Sequence, residues 1–160
     1  DPYLFSGTLV DNIALAREEL DLPAEEREAR VQAVLRRLGL FERFGKHPQG
    51  VQRPVSPGGH NFSAGERQMI SLARAFCSGR PIILLDEATA QVDSETEYQL
   101  QQATESVLEG HSALVIAHRL STIERATRIL VLQRGRIIES GTHAELLAAG
   151  GHYAALHALL

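Results

Sequence analysis

The chain has no tryptophan, one methionine and a single cysteine, Cys77. One cysteine excludes an internal disulfide and fits a reducing compartment. Nor is there a long hydrophobic run. The longest apolar stretches are short, such as 82–85 and 113–117, far below the ~20 residues that span a bilayer. No stretch of these residues reads as a signal peptide either. Any link to a membrane must come through a partner or through sequence beyond this segment. Excess positive charge is also missing. Sixteen Lys and Arg face 20 Asp and Glu, for a net charge of −4, so bulk electrostatics point away from nucleic acid. There is no internal repeat and no low-complexity tract. An initiating methionine is absent too: the chain opens on Asp1-Pro2-Tyr3-Leu4-Phe5, which reads as the start of a fragment.

What remains is an ordinary globular composition, with 44% hydrophobic and 22% charged residues in 160, enough for one domain with a core. Residues 9–15 read as a short helix. Asp21, Leu22 and Pro23 start a second, with Glu25 and Glu26 where negative charge suits the helix dipole. Val31, Val34, Leu35 and Leu38 give it one buried face, and Gly39 ends it. Residues 45–60, rich in Gly, Pro and His, read as a loop. A helix from Ser63 to about Ser78 presents Met69, Leu72, Ala73 and Phe76 on one face. Residues 82–85 then form a continuous apolar run, expected as a strand buried on both faces.

A helix over about 94–109 and a second buried strand at 113–117 follow. Residues 129–132 and 137–139 read as a hairpin with Gly135 in its turn. Thr142 and Glu145 form a capping box for a short helix, and a last helix covers about 152–160. Strand and helix alternate in the second half, as in a parallel α/β sheet, while the first half is mostly helical.

Four places carry chemistry. In Ile82-Ile83-Leu84-Leu85-Asp86-Glu87, two carboxylates end a buried strand, where open α/β sheets place their ligands. Neighbouring strand residues point to opposite sides, so one can hold Mg²⁺ through water and the other can face an attacking water. A solvated strand end is the competing reading. In Ser63-Ala64-Gly65-Glu66-Arg67-Gln68, Ser63 caps a helix with Glu66 as its box partner. That start can bind phosphate, although an ordinary capping box is the commoner explanation. His118 follows the second strand and could contact a terminal phosphate. A lone histidine there is more often structural. Asp93 by itself is a helix cap.

Taken in order, these four elements and their flanks resemble the ATP-binding cassette (ABC) family. Phe62-Ser63-Ala64-Gly65-Glu66 sits where that family has its Leu-Ser-Gly-Gly-Gln signature. Residues 82–87 resemble the Walker B strand with its catalytic glutamate. Ala90-Gln91-Val92-Asp93 occupies the D-loop, and His118 falls at the switch histidine. The opening, through Asp11-Asn12-Ile13, is similar to the segment after the Q-loop of exporter-type members, whose glutamine would precede Asp1. The resemblance covers essentially all 160 residues.

The resemblance implies an α/β fold: the C-terminal part of a P-loop NTPase (RecA-like) core with an inserted ABC-type helical subdomain. Residues 9–78 would be that subdomain, 79–141 the later core strands, and 142–160 the C-terminal helices. It implies ATP and Mg²⁺ as ligands. Asp86 would serve the metal, Glu87 the attacking water and His118 the γ-phosphate. Ser63, Ala64, Gly65 and Glu66 would reach ATP held by a second nucleotide-binding domain, identical or different, and Asp93 would connect the two sites. A transmembrane exporter domain, fused upstream, would be the other partner, with no role for nucleic acid. The location would be the cytoplasmic face of the inner membrane.

The departures from the pattern that matter are Ala64 for glycine, Glu66 for glutamine and Ala90 for serine. The Gly-rich phosphate loop and its lysine are not in these 160 residues, so the segment alone is expected to bind ATP poorly or not at all and to expose strand edges. Competing readings are a non-catalytic fragment and a soluble ABC ATPase not engaged in transport.

Overall fold

The computed structural model describes residues 2–16, 20–86, 93–117 and 120–159. These fall into two compact units. One holds the described residues of 2–84 and 93–114; the other holds 85–86 and the described residues of 115–159.

The first unit is built on helices. Helix α1 (Leu9–Ile13) is capped by Thr8 in a reciprocal box with Asp11. Helix α2 (Ala24–Arg37) starts after Pro23, with Glu25 and Glu26 in its first turn and Arg36 and Arg37 in its last, the charge order its dipole favours. Val31, Val34, Leu35 and Leu38 are buried as expected. Gly39, with φ at +71°, ends the helix. Its N–H donates to the Arg36 carbonyl and the Leu40 N–H reaches back to Leu35 at 2.8 Å, the two bonds of a Schellman motif. A short helix α3 (Phe41–Phe44), which the pattern analysis does not foresee, follows at once and buries Phe44.

Helix α4 (Ala64–Cys77) is the hub, packing against α1, α2 and the later helix α5 (Ser94–Leu108). Its buried residues are Gly65, Met69, Ile70, Ala73 and Cys77. Leu72 and Phe76, expected on the buried stripe, are only half-buried. Contact with three helices buries an arc of α4 that a single-stripe reading does not anticipate.

The expected loop at 45–60 is partly ordered by pairing. Strand β1 (Gly7–Thr8) runs antiparallel to β2 (Pro54–Val55), with Gly7 opposite Val55. Two 3₁₀ turns, Gly50–Gln52 and Pro57–Gly59, flank β2. Beneath this pair lies a polar tie. Asn12 is 1% exposed. Its side chain accepts from the Phe5 N–H at 2.8 Å and donates to the Phe5 and Thr8 carbonyls at 2.9 and 3.0 Å. From α4, Arg74 donates to the Asn12 carbonyl at 2.8 Å, to its side-chain oxygen at 3.2 Å and to the Tyr3 carbonyl at 3.1 Å. The opening segment is thereby fastened to the hub helix.

Strand β3 (Ile82–Asp86) pairs with β4 (Ser112–Ile116), reached through α5. These strands are not buried on both faces. Ile83 is buried, but Ile82 and Leu84 are 65% and 74% exposed, and Leu114 and Ile116 are each 59% exposed. Alternation puts neighbouring side chains on opposite sides. An apolar run states what environment a strand suits; it does not state that the same segment supplies the cover.

The second unit contains a hairpin of β5 (Ile129–Gln133) and β6 (Arg136–Gly141), antiparallel and bulged between Val131 and Leu132. Its turn residues Arg134 and Gly135 both have positive φ, as the two-residue primed turn requires. Three short helices accompany it: α6 (Leu120–Glu124), which the pattern does not foresee, α7 (His143–Ala149) and α8 (His152–His157). The Thr142–Glu145 capping box of α7 is present. Val131, Leu146 and Tyr153 form a small core, with Ile123 and Ile129 against it. The Glu139 carboxylate accepts the Tyr153 and His152 N–H groups at the start of α8, and these bonds hold its carboxyl below the usual range. Among the described residues there are three two-stranded sheets, and no helix is long and apolar enough to cross a membrane.

Candidate functional site

Ser63 stands at the start of α4 in extended backbone. Its Oγ accepts the Glu66 N–H at 3.1 Å, and the Glu66 carboxylate accepts the Ser63 N–H at 2.9 Å. The Arg67 N–H bonds the Ser63 carbonyl. The Ala64 and Gly65 amides lie outside these bonds, in the turn where helices leave their N–H groups without intrahelical partners. Gly65 is buried and Ala64 half-buried.

The loop ahead of this cap is held from several sides. Asn61 accepts from the Ser56 N–H and hydroxyl at 3.0 and 2.8 Å and donates to the Pro54 carbonyl at 2.8 Å. Gly59, at φ +70°, lies so close to the buried Leu4 side chain that a Cβ would meet it at 2.7 Å. Two arginines flank Phe62, the residue before the cap. Arg53 lies over its ring at 4.2 Å and donates to the Asn61 carbonyl. Arg67 donates to the Phe62 carbonyl at 2.8 Å. The motif reading misses Arg53, Gly59 and Asn61. A glycine and an asparagine in a turn-rich loop are a signal for its geometry, but no sequence spacing brings Arg53 to Phe62.

Asp86 is the exposed last residue of β3. Asp93 caps α5, accepting the Thr96 N–H at 3.0 Å, and that backbone bond leads the causes holding its carboxyl below the ordinary value. Glu87, His118 and the D-loop positions 90–92 lie outside the described residues. The structure therefore gathers Ser63, Ala64, Gly65 and Glu66 at one helix start, and places Asp86 and Asp93 each at the end of its own element.

The groups present suit a nucleotide in part. The unbonded amides of a helix start, small residues and two nearby guanidiniums fit a phosphate. An exposed carboxylate oxygen at a strand end fits Mg²⁺, which takes oxygen donors and keeps much of its water. The Glu66 carboxylate, folded back onto the cap, puts negative charge where phosphate would approach.

Comparison with known proteins supplies the class of this α/β chain, the nucleotide-binding domain of a P-loop NTPase. The ABC transporter family matches residues 2–90, and the chain belongs to that family. Over 98% of its length it is 48% identical to the ATP-dependent lipid A-core flippase of Burkholderia pseudomallei (strain 1710b). Over 99% it is 45% identical to the probable multidrug resistance ABC transporter ATP-binding/permease protein YheH of Bacillus subtilis (strain 168). A bacterial Atm1-family ABC exporter with ATP bound superposes with a TM-score of 0.81 at 35% identity, covering 99% of this chain and 27% of that one. The chain spans about a quarter of the two curated relatives, 25% and 23% of their lengths. The α/β P-loop fold and the exporter-type family expected from the motifs are thus both found.

Proposed function

We propose that this chain is part of the ATPase domain of an ABC exporter, where it helps couple ATP hydrolysis to export across a membrane. The carrying observation is its match to exporters over nearly its whole length, joined to the prepared helix start at Ser63. In this reading residues 9–78 form the helical subdomain, 79–141 the later core strands and 142–160 the C-terminal helices. The domain works on the cytoplasmic face of the membrane, paired with a second nucleotide-binding domain and a transmembrane exporter domain.

Each residue has a distinct task. The Ala64 and Gly65 amides, with Ser63, receive the phosphates of ATP held by the opposing domain. Arg53 and Arg67 add positive charge at that corner. Asp86 would hold Mg²⁺, which would supply positive charge against the phosphates. Glu87 orients the attacking water and accepts its proton. His118 contacts the γ-phosphate, and Asp93 connects the two sites. Closure and release of the paired domains then bias the exporter between access states. Steady-state ATPase assays on the full-length protein in lipid vesicles test this. Mg²⁺-dependent turnover that falls at least tenfold in Asp86→Asn is expected; turnover indifferent to that change would refute the assignment.

The Glu66 carboxylate at the cap leads to a second expectation. Glutamine also completes a capping box, so Glu66→Gln removes the charge and keeps the helix start. Ala64→Gly removes a methyl where backbone must approach phosphate. The double variant is expected to raise ATP turnover of the full-length protein several-fold, since relieving one close like-charge contact is worth about 1 kcal/mol. No gain would show that this helix start does not limit the reaction.

A further inference from the structure

We propose that Glu124, His143 and His157, in the second unit, form a binding site for a transition-metal dication, with Zn²⁺ the best chemical match. The three side chains come from three elements: Glu124 ends α6, His143 begins α7 and His157 ends α8. One ligand atom from each lies within 4.8 Å of the other two. His157 Nε2 and Glu124 Oε1 are 3.1 Å apart. Bond lengths of ~2.0–2.2 Å around tetrahedral zinc place neighbouring donors ~3.3 Å apart, so this edge is already nearly the right length.

The supporting groups have the chemistry of a metal site's surroundings. The Tyr153 hydroxyl sits 2.7 Å from His143 Nδ1. When that nitrogen donates to the hydroxyl oxygen, Nε2 keeps its lone pair for an ion. An outer hydrogen bond of this kind fixes the tautomer and orientation of a ligating histidine. Tyr153 is itself 5% exposed and part of the small core, so the partner is rigid. The two histidine rings lie 5.2 Å apart, tilted by 52°. The Glu124 and His157 side chains keep 40% and 25% of their surface, which leaves an entry path and room for water as a fourth ligand. Two imidazoles and one carboxylate favour zinc, cobalt or nickel over Mg²⁺ and Ca²⁺, which take oxygen-only sets. Three helices of five to seven residues gain little from their own hydrogen bonds. An ion shared among them would clip them around the hairpin.

The test uses the full-length protein, stripped of metal and titrated with Co²⁺ and then Zn²⁺. The expected result is a tetrahedral Co²⁺ absorption band that saturates at about one equivalent and is displaced by Zn²⁺. Glu124→Gln, an exposed and nearly isosteric change, and His157→Gln should each abolish the band, with circular dichroism unchanged. Tyr153→Phe should weaken binding about 10–100-fold, the usual effect of losing an outer partner. His111→Gln, outside the cluster, should change nothing. Failure to bind, or binding that survives both Glu124→Gln and His157→Gln, overturns the proposal. Neither readout depends on ATP turnover, so failure here leaves the ATPase reading standing.

Discussion

Glu87→Gln in the full-length protein is expected to lower ATP turnover about 10²–10⁴-fold, the usual contribution of a positioned general base. The amide has the size and shape of the carboxylate but no basicity at neutral pH. It can still hold a water by hydrogen bonding, yet it cannot take the proton that water loses. ATP affinity should survive, because the phosphate-binding amides at Ala64 and Gly65 and the carboxylate of Asp86 are untouched. The check is phosphate release set beside equilibrium binding of ATP. A large loss of turnover with binding retained assigns the base to Glu87. Loss of both would mean that this position supports the fold or the metal. An unchanged rate would move the base elsewhere and reduce Glu87 to a solvated strand end.

The second large effect is on stability. Asn12→Ala should destabilise the domain by roughly 3 kcal/mol, since buried groups left without partners cost ~1–3 kcal/mol each. The variant strips partners from the Phe5 N–H, the Phe5 and Thr8 carbonyls and one Arg74 nitrogen. Arg74 is where the damage concentrates. Burial lowers its pKa, and its charge leans on the acceptors around it. Its remaining bonds to the Asn12 and Tyr3 carbonyls depend on a segment that the substitution frees. At ~2–4 °C per kcal/mol for a domain of this size, the melting temperature should fall by about 6–12 °C. Thermal unfolding followed by circular dichroism measures this. Arg74→Lys should also destabilise, because an ammonium cannot reproduce a planar fork that reaches three acceptors. A shift of a degree or less in Asn12→Ala would mean that water replaces the lost bonds and that the tie is not structural.

Much of the local structure was legible because it rests on short-range chemistry. The Ser63–Glu66 and Thr142–Glu145 boxes are read from residues three apart, and both form. Gly39 stops α2 and Gly135 turns the hairpin, each at positive φ. The stripe of Val31, Val34, Leu35 and Leu38 is buried because a helical period puts it on one side. The order of Ser63, Asp86, Asp93 and His118 was enough to point to the family.

Other features depended on which elements meet. The pairing of Gly7–Thr8 with Pro54–Val55 joins segments some 47 residues apart, and two residues carry no alternation from which to read a strand. Arg53 lies over Phe62 through the fold of its loop. Asn12 and Arg74 are 62 residues apart and look like ordinary surface polar residues until the opening segment closes over α4. The exposed faces of β3 and β4 correct the expectation of strands buried on both sides, because the apolar pattern is blind to where its cover comes from.

By itself, then, the sequence determined the caps, the turns, the Val31–Leu38 stripe of α2 and the membership of the ABC transporter family, since each rests on residue types at short or ordered spacings. Only the tertiary structure decided the Asn12–Arg74 tie, the arginine pair at Phe62 and the meeting of Glu124, His143 and His157. Those arrangements join residues distant along the chain, and only packing brings distant residues within bonding range.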